Sequence, residues 1–185
     1  GTGAIAAWEN AERLAADGRF GENKMRIYVS QNTPFTLLYD SWKACSRQLS
    51  DLTPELGRRE AEVILAKVLS NRKPPYSIAG GLYDVLVKSC GDVFLASNDD
   101  IVYWLLQFRN LEGYDLLPAA CVAVSSLAQA VSDGKVGKDE CIMLNCTGGG
   151  ILGSMGNGYF LKDPDLVLSP DLDSEEIIGK VTALF

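Results

Sequence analysis

Short apolar runs alternate along this chain with helical patterns of ten or more residues, and that alternation most constrains its fold. Strands spaced by whole helices cannot pair as hairpins, so they build βα units and a largely parallel sheet. The strand patterns are Met25–Val29, Asp92–Ala96 and Cys141–Leu144, with a strand-like Leu166-Val167-Leu168. Helical spacing covers 4–16 (Ile5, Trp8, Ala11 and Ala15 on one face, Gly18 closing it). It recurs over 34–49 (Leu37, Leu38, Trp42, Cys45, Leu49) and 58–69 (Ala61, Ile64, Leu65, Val68). Further helices are expected over 82–88 behind Gly80-Gly81, over 98–111 capped by Asn98, over 118–133 and over 174–184. In the helix over 98–111 Ile101, Trp104, Leu105 and Phe108 point inward; in that over 118–133 Ala120, Ala123, Val124, Leu127 and Val131 do. Gly153 to Gly158 reads as a hairpin-like stretch. The fold class is α/β, a mostly parallel sheet flanked by helices, with 1–185 as one domain.

Ligands on such sheets sit at the carboxyl ends of the strands, which directs attention to two glycine features. The Cys141–Leu144 run spills into Asn145-Cys146-Thr147-Gly148-Gly149-Gly150. A hydroxyl followed by glycines lets a flat ligand approach the backbone, although a plain glycine turn has the same composition. Gly1-Thr2-Gly3 runs straight into the first helix, whose start is small (Ala4-Ile5-Ala6-Ala7). It reads either as an ordinary turn or as a phosphate loop, because bare N–H groups and the helix dipole favour an anion there. As a phosphate loop, its position at the start of the chain suggests a piece of something larger.

Composition narrows the chemistry. The chain has no histidine, which removes Ser-His-Asp and Cys-His catalysis and imidazole metal sites from this segment. The five cysteines (Cys45, Cys90, Cys121, Cys141, Cys146) include no C-x-x-C pair, so no metal site is expected. They read as reduced, mostly buried thiols of a cytoplasmic protein. A net charge of −7 without a basic run argues against nucleic acid, and no apolar stretch approaches the ~20 residues of a membrane span.

Other motifs are weaker. Arg72-Lys73, beside Pro74-Pro75, could meet an anionic substrate or be a solvated pair. Glu112-Gly113 with Pro118-Ala119-Ala120 is at least a helix–turn–helix junction. Asp173, Glu175 and Glu176 suit a helix N-terminus and require no function.

In order, these pieces resemble the fold-type II pyridoxal-phosphate enzymes (the tryptophan synthase β-like fold), and within them the threonine synthase family. The matching segments are Gly1-Thr2-Gly3-Ala4 with Trp8-Glu9, Gln31-Asn32-Thr33-Pro34-Phe35, Glu112-Gly113 with Pro118-Ala119-Ala120, and Asn145 through Gly150. Arg72-Lys73-Pro74-Pro75-Tyr76-Ser77 before Gly80-Gly81 is most similar to the cysteate synthase branch. The resemblance implies a large-domain, C-terminal portion with pyridoxal 5'-phosphate as cofactor. Gly1, Thr2 and Gly3 would hold its phosphate, Thr147 and Gly148 would meet its pyridine ring, and Glu112 would sit near its reactive edge. Arg72 and Lys73 are the candidates for an anionic substrate.

The implied reaction replaces the phosphate of O-phospho-L-serine with sulfite to give L-cysteate, which serves coenzyme M synthesis in methanogenic archaea. Threonine synthase chemistry on O-phosphohomoserine, or a non-catalytic binding module of the same fold, are the alternatives. No lysine here matches the family's Schiff-base motif, so the chain alone is expected to be inactive. The Gly-Leu-Lys that follows the strand in many threonine synthases is also missing, with an echo at Leu161-Lys162-Asp163-Pro164-Asp165. Small-molecule substrates and a homo-oligomer are the expected partners.

Overall fold

The computed structural model describes residues 1–19, 21–151 and 164–184. The chain groups into two compact units, Gly1–Gly150 and Ile151–Phe185, where the sequence reads as one domain. The stretch from Gly153 to Gly158 and Leu161 to Asp163 of the echo lie outside the described residues.

The first unit runs α1 (Thr2–Asp17), β1 (Tyr28–Asn32), α2 (Leu37–Lys43), α3 (Pro54–Val63), a 3-10 turn (Lys67–Leu69), α4 (Leu82–Lys88), β2 (Asp92–Ala96), α5 (Asn98–Glu112) and α6 (Pro118–Ser132). β1 and β2 pair in parallel, in register from Tyr28 opposite Asp92 to Asn32 opposite Ala96. Side chains alternate between the two faces of the pair. Ile27, Val29 and Val93 join a core with Trp8, Leu38, Tyr76, Leu82, Val85 and Leu86, which gathers α1, α2 and α4. Ala96 joins a second core with Ala66, Ile101, Leu116, Ala120, Cys121, Val122 and Val124, under α5 and α6. The mixed α/β class with a parallel pair flanked by helices is therefore observed. No helix among the described residues is long and apolar enough to cross a membrane.

Several boundaries differ from the periodicity, each for a local reason. β1 is Tyr28–Asn32 rather than 25–29, because register with β2 sets its span. α2 stops at Lys43 instead of near Leu49. Cys45 takes a left-handed φ of 52°, and the amides of Cys45 and Ser46 bond back to Trp42 O (2.9 Å) and Ser41 O (3.0 Å), closing the helix. α3 begins earlier, at Pro54 behind the Thr53 cap, and ends at Val63. Its expected continuation is broken because Leu65 N and Ala66 N bond to Asn98 Oδ1 and Asn32 Oδ1 instead of to the helix, each at 3.0 Å. Leu65 and Val68 are consequently exposed, while Ile64 is buried.

The cap of α5 is Ser97 rather than Asn98, in a reciprocal capping box with Asp100. Val131, expected in the α6 stripe, is exposed. Cys141–Leu144 forms no strand: only Leu144 reaches the second core, while Ile142 and Met143 face outward, and a run apolar at every position needs cover on both faces to pair. Leu166–Leu168 is likewise not a strand. The cysteines correct the sequence reading most clearly: Cys121 is buried, and the other four are exposed. In the second unit, α7 (Ser174–Thr182) starts on an Asp173–Glu176 capping box and buries none of its residues.

At the amino end of the sheet, Asp92 gathers Trp42 Nε1 and Lys43 Nζ, each at 2.8 Å, and Lys135 Nζ. Burial pushes its carboxyl up, but the bonds from Lys135, Lys43, the Val93 amide and Trp42 outweigh burial and hold it well below the usual carboxylate range. This cluster ties α2, β2 and the turn after α6 together at the end of the sheet opposite the ligand side.

Candidate functional site

The carboxyl ends of β1 and β2 are joined by amide side chains. Gln31 is buried, and its Oε1 accepts from Leu38 N (2.7 Å) and Tyr39 N (3.0 Å), so the strand caps the helix that follows it. Asn32 is fully buried at the last position of β1. Its Nδ2 donates to Ala96 O at 3.0 Å, Asn98 Oδ1 at 3.1 Å and Thr33 O at 3.2 Å. Asn98 Nδ2 donates in turn to Val63 O at 3.0 Å. Two asparagines thus pin the segment after α3 across both strand ends. In the sequence Gln31-Asn32 carries only a resemblance, and Asn98 reads as a cap. The available signal was polar side chains ending two apolar strand patterns.

The structure brings two of the sequence motifs into one place. Gly113, at φ 78°, closes α5 directly after Glu112, and the chain turns into Tyr114–Leu117. That segment runs antiparallel to Gly148–Gly150: Leu116 bridges Gly149, Leu117 N donates to Gly148 O (3.0 Å), and Gly150 N donates to Asp115 O (2.8 Å). The glycines have a packing reason. A Cβ on Gly149 would lie 2.2 Å from Asp115 O, and one on Gly148 would lie 2.6 Å from Leu117 Cδ1. Gly150 carries a φ of 74°.

Beside this ladder lies an open cleft of about 530 Å³, bordered by Phe108, Tyr114, Asp115, Cys146, Thr147 and the three glycines. Thr147 is exposed and Gly148 half-buried at its edge. Burial pushes the Cys146 thiol up, and burial with Cys146 nearby pushes the Cys121 thiol up to about 11. The wall contributed by 147–150 is uncharged, so it can offer a hydroxyl and backbone amides to a ligand but no side-chain acid or base.

The remaining candidates lie elsewhere. Glu112 is exposed as the last residue of α5, three positions before Asp115. Gly1 precedes α1, whose N-terminus has no side-chain cap, and open space surrounds Gly3. Gly1 packs near Leu82, a residue of the first core. A smaller cleft of about 190 Å³ separates α1 from α4, with Trp8, Glu9, Glu12, Asp84 and Lys88 around it. Arg72 and Lys73 are exposed; the stem of Arg72 crosses α3 in the notch left by Gly57, whose Cβ would meet Arg72 Cδ at 2.4 Å.

No protein-family model matches the chain. Among curated proteins it is 41% identical over 183 residues to cysteate synthase of Methanosarcina acetivorans, covering 96% of this chain and 43% of that protein. It is 46% identical over 154 residues to the cysteate synthase of Methanoculleus marisnigri, covering 81% and 35%. For the Methanocella paludicola enzyme of the same name the identity is 44% over 155 residues, covering 82% and 35%. The chain spans less than half the length of these relatives.

Proposed function

Because the chain resembles cysteate synthases over most of its own length, we propose that it is the C-terminal, large-domain part of a pyridoxal-phosphate enzyme of fold type II. Its reaction would replace the phosphate of O-phospho-L-serine with sulfite, giving L-cysteate and phosphate on the route to coenzyme M. The observation that carries the reading is this identity, shared by several relatives of one name.

The local structure fits the cofactor in two respects. The first-turn amides of α1 are uncapped by any side chain beside a glycine with open space around it, which suits a phosphate. Thr147 stands at the edge of a cleft large enough for a substituted pyridine ring. Pyridoxal phosphate, when bound, supplies the electron sink that lets a group leave the substrate's β-carbon.

The chain's own residues would set that chemistry. Thr147 Oγ1 would donate to the ring nitrogen and, being neutral, leave it unprotonated, which favours β-replacement over deeper delocalisation. The amides of Thr2 and Gly3 would hold the cofactor phosphate, and Gly148 would let the ring lie against the backbone. Glu112 would orient the substrate's amino end. Small-molecule substrates and a cytoplasmic location belong to the same proposal.

The experiment is phosphate release by the full-length natural protein with pyridoxal phosphate, offered phosphoserine with and without sulfite, and phosphohomoserine separately. Sulfite-dependent release with cysteate formed is the expected result. Release from phosphohomoserine alone would make it a threonine synthase, and no release from either would leave a non-catalytic module.

A further inference from the structure

The cleft beside the glycine ladder is bordered by two kinds of surface, and the proposed chemistry uses one of them. Residues 146–150 supply a hydroxyl and backbone, whereas the segment from α5 into the turn after it supplies two aromatic rings, Phe108 and Tyr114. Phe108 lies near the carboxyl end of α5 and packs against the second core, which holds its ring in place. Tyr114 follows Gly113, whose left-handed backbone closes α5, and precedes Asp115, whose carbonyl accepts from Gly150 N at 2.8 Å. Leu117 N donates to Gly148 O at 3.0 Å in the same ladder, and a Cβ on Gly149 would stand 2.2 Å from Asp115 O. The segments that carry Tyr114 and Thr147 are thus in direct backbone contact, and that contact fixes their spacing.

The two surfaces do different chemical work. Glycines have no side chains to cover the face of a flat ligand, and the Thr147 hydroxyl can hydrogen-bond only to its edge. A planar ring also gains from an apolar surface that takes one face out of water. An aromatic side chain provides that surface over a large area with few torsions to freeze, and it stacks on a second ring in an offset arrangement. A pyridine ring bearing an aldehyde is electron-poor, and the phenol ring of tyrosine is electron-rich, so the two are complementary in charge distribution. We infer that Tyr114, together with Phe108, is the stacking surface of this cleft and selects planar heteroaromatic ligands over non-aromatic phosphate esters. The inference rests on the proposed cofactor and assigns affinity for its ring to residues that neither the phosphate, the ring nitrogen nor the substrate had called upon.

The test measures binding of pyridoxine 5'-phosphate to the full-length natural protein freed of cofactor, by isothermal titration. This probe keeps the ring and the phosphate but lacks the aldehyde, so no covalent link to a lysine contributes. Wild type is compared with Tyr114→Leu, Tyr114→Phe and Phe108→Leu, with circular dichroism as the check on folding. Tyr114→Leu is expected to raise the dissociation constant at least about tenfold, equivalent to about 1.4 kcal/mol. Its affinity for inorganic phosphate, read by competition, stays within about twofold of wild type. Tyr114→Phe keeps the ring and binds the probe within about threefold of wild type, and Phe108→Leu weakens it at least about threefold. A Tyr114→Leu protein that binds the probe as wild type does, one that loses phosphate and probe alike, or a Tyr114→Phe protein as weak as Tyr114→Leu each overturns the inference while leaving the cofactor in place. A wild type that binds neither this probe nor pyridoxal phosphate overturns the cofactor reading itself, and the inference with it.

Discussion

Replacing Asn32 by Asp keeps the shape of the side chain and reverses the polarity of one end. In the native arrangement Nδ2 faces three acceptor oxygens, those of Ala96, Asn98 and Thr33, at 3.0 to 3.2 Å, and no solvent reaches it. Ionised, the new oxygen would oppose all three. Protonated, it offers one O–H where the amide offered two N–H groups. Keeping a carboxyl of ordinary pKa ~3.9 protonated at pH 7 costs roughly 1.36 × 3.1, about 4 kcal/mol. The lost donor adds about 1 kcal/mol, for a destabilisation near 5 kcal/mol. The folded carboxyl titrates above its unfolded value, so the penalty applies above the unfolded pKa and shrinks as pH falls toward it. Between pH 7 and pH 5 it falls by 2 × 1.36, about 3 kcal/mol. Paired urea titrations of wild type and Asn32→Asp at the two pH values measure both quantities. A difference that does not change with pH, or one under about 1 kcal/mol at pH 7, would refute the claim that Asn32 holds the strand ends through its amide donors.

Three further outcomes follow from particular contacts. Asp92 is held below its unfolded value, so its contribution is present above about pH 4 and lost as pH falls through the folded value; Asp92→Asn should cost about 1–2 kcal/mol at pH 7, less in high salt, and nothing in acid, by thermal denaturation. Gly149→Ala drives a Cβ into the Asp115 carbonyl and should cost more than about 2 kcal/mol, with chemical shifts at Leu116 and Leu117 reporting the opened ladder; unchanged shifts would refute the close approach. Cys45, Cys90, Cys141 and Cys146 should react with an aromatic disulfide reagent in the native chain, and Cys121 only after unfolding, so a native titration reaching five thiols would contradict its burial.

Much of the fold was legible because it is local. The positions of Trp8, Ile101 and Ala120 follow from helical spacing, Gly18 and Gly113 mark helix ends by their left-handed backbone, and Asp92–Ala96 reads directly as a strand. The α/β class came from the lengths of these elements. What remained hidden is non-local. Nothing near Val63 shows that its helix must stop, because the groups that stop it are Asn32 and Asn98, 31 and 35 residues away in sequence. Likewise Gly148 and Gly149 read as room for a ligand, whereas much of that room is taken by the backbone at Asp115 and the Leu117 side chain. The exposed cysteines sit in apolar sequence whose neighbours turn elsewhere. Propensity and periodicity act within a few residues and so are written in the sequence. Pairing of buried amides, register and close backbone approach are settled only when distant segments meet, because each is a contact between groups that the linear order does not place together.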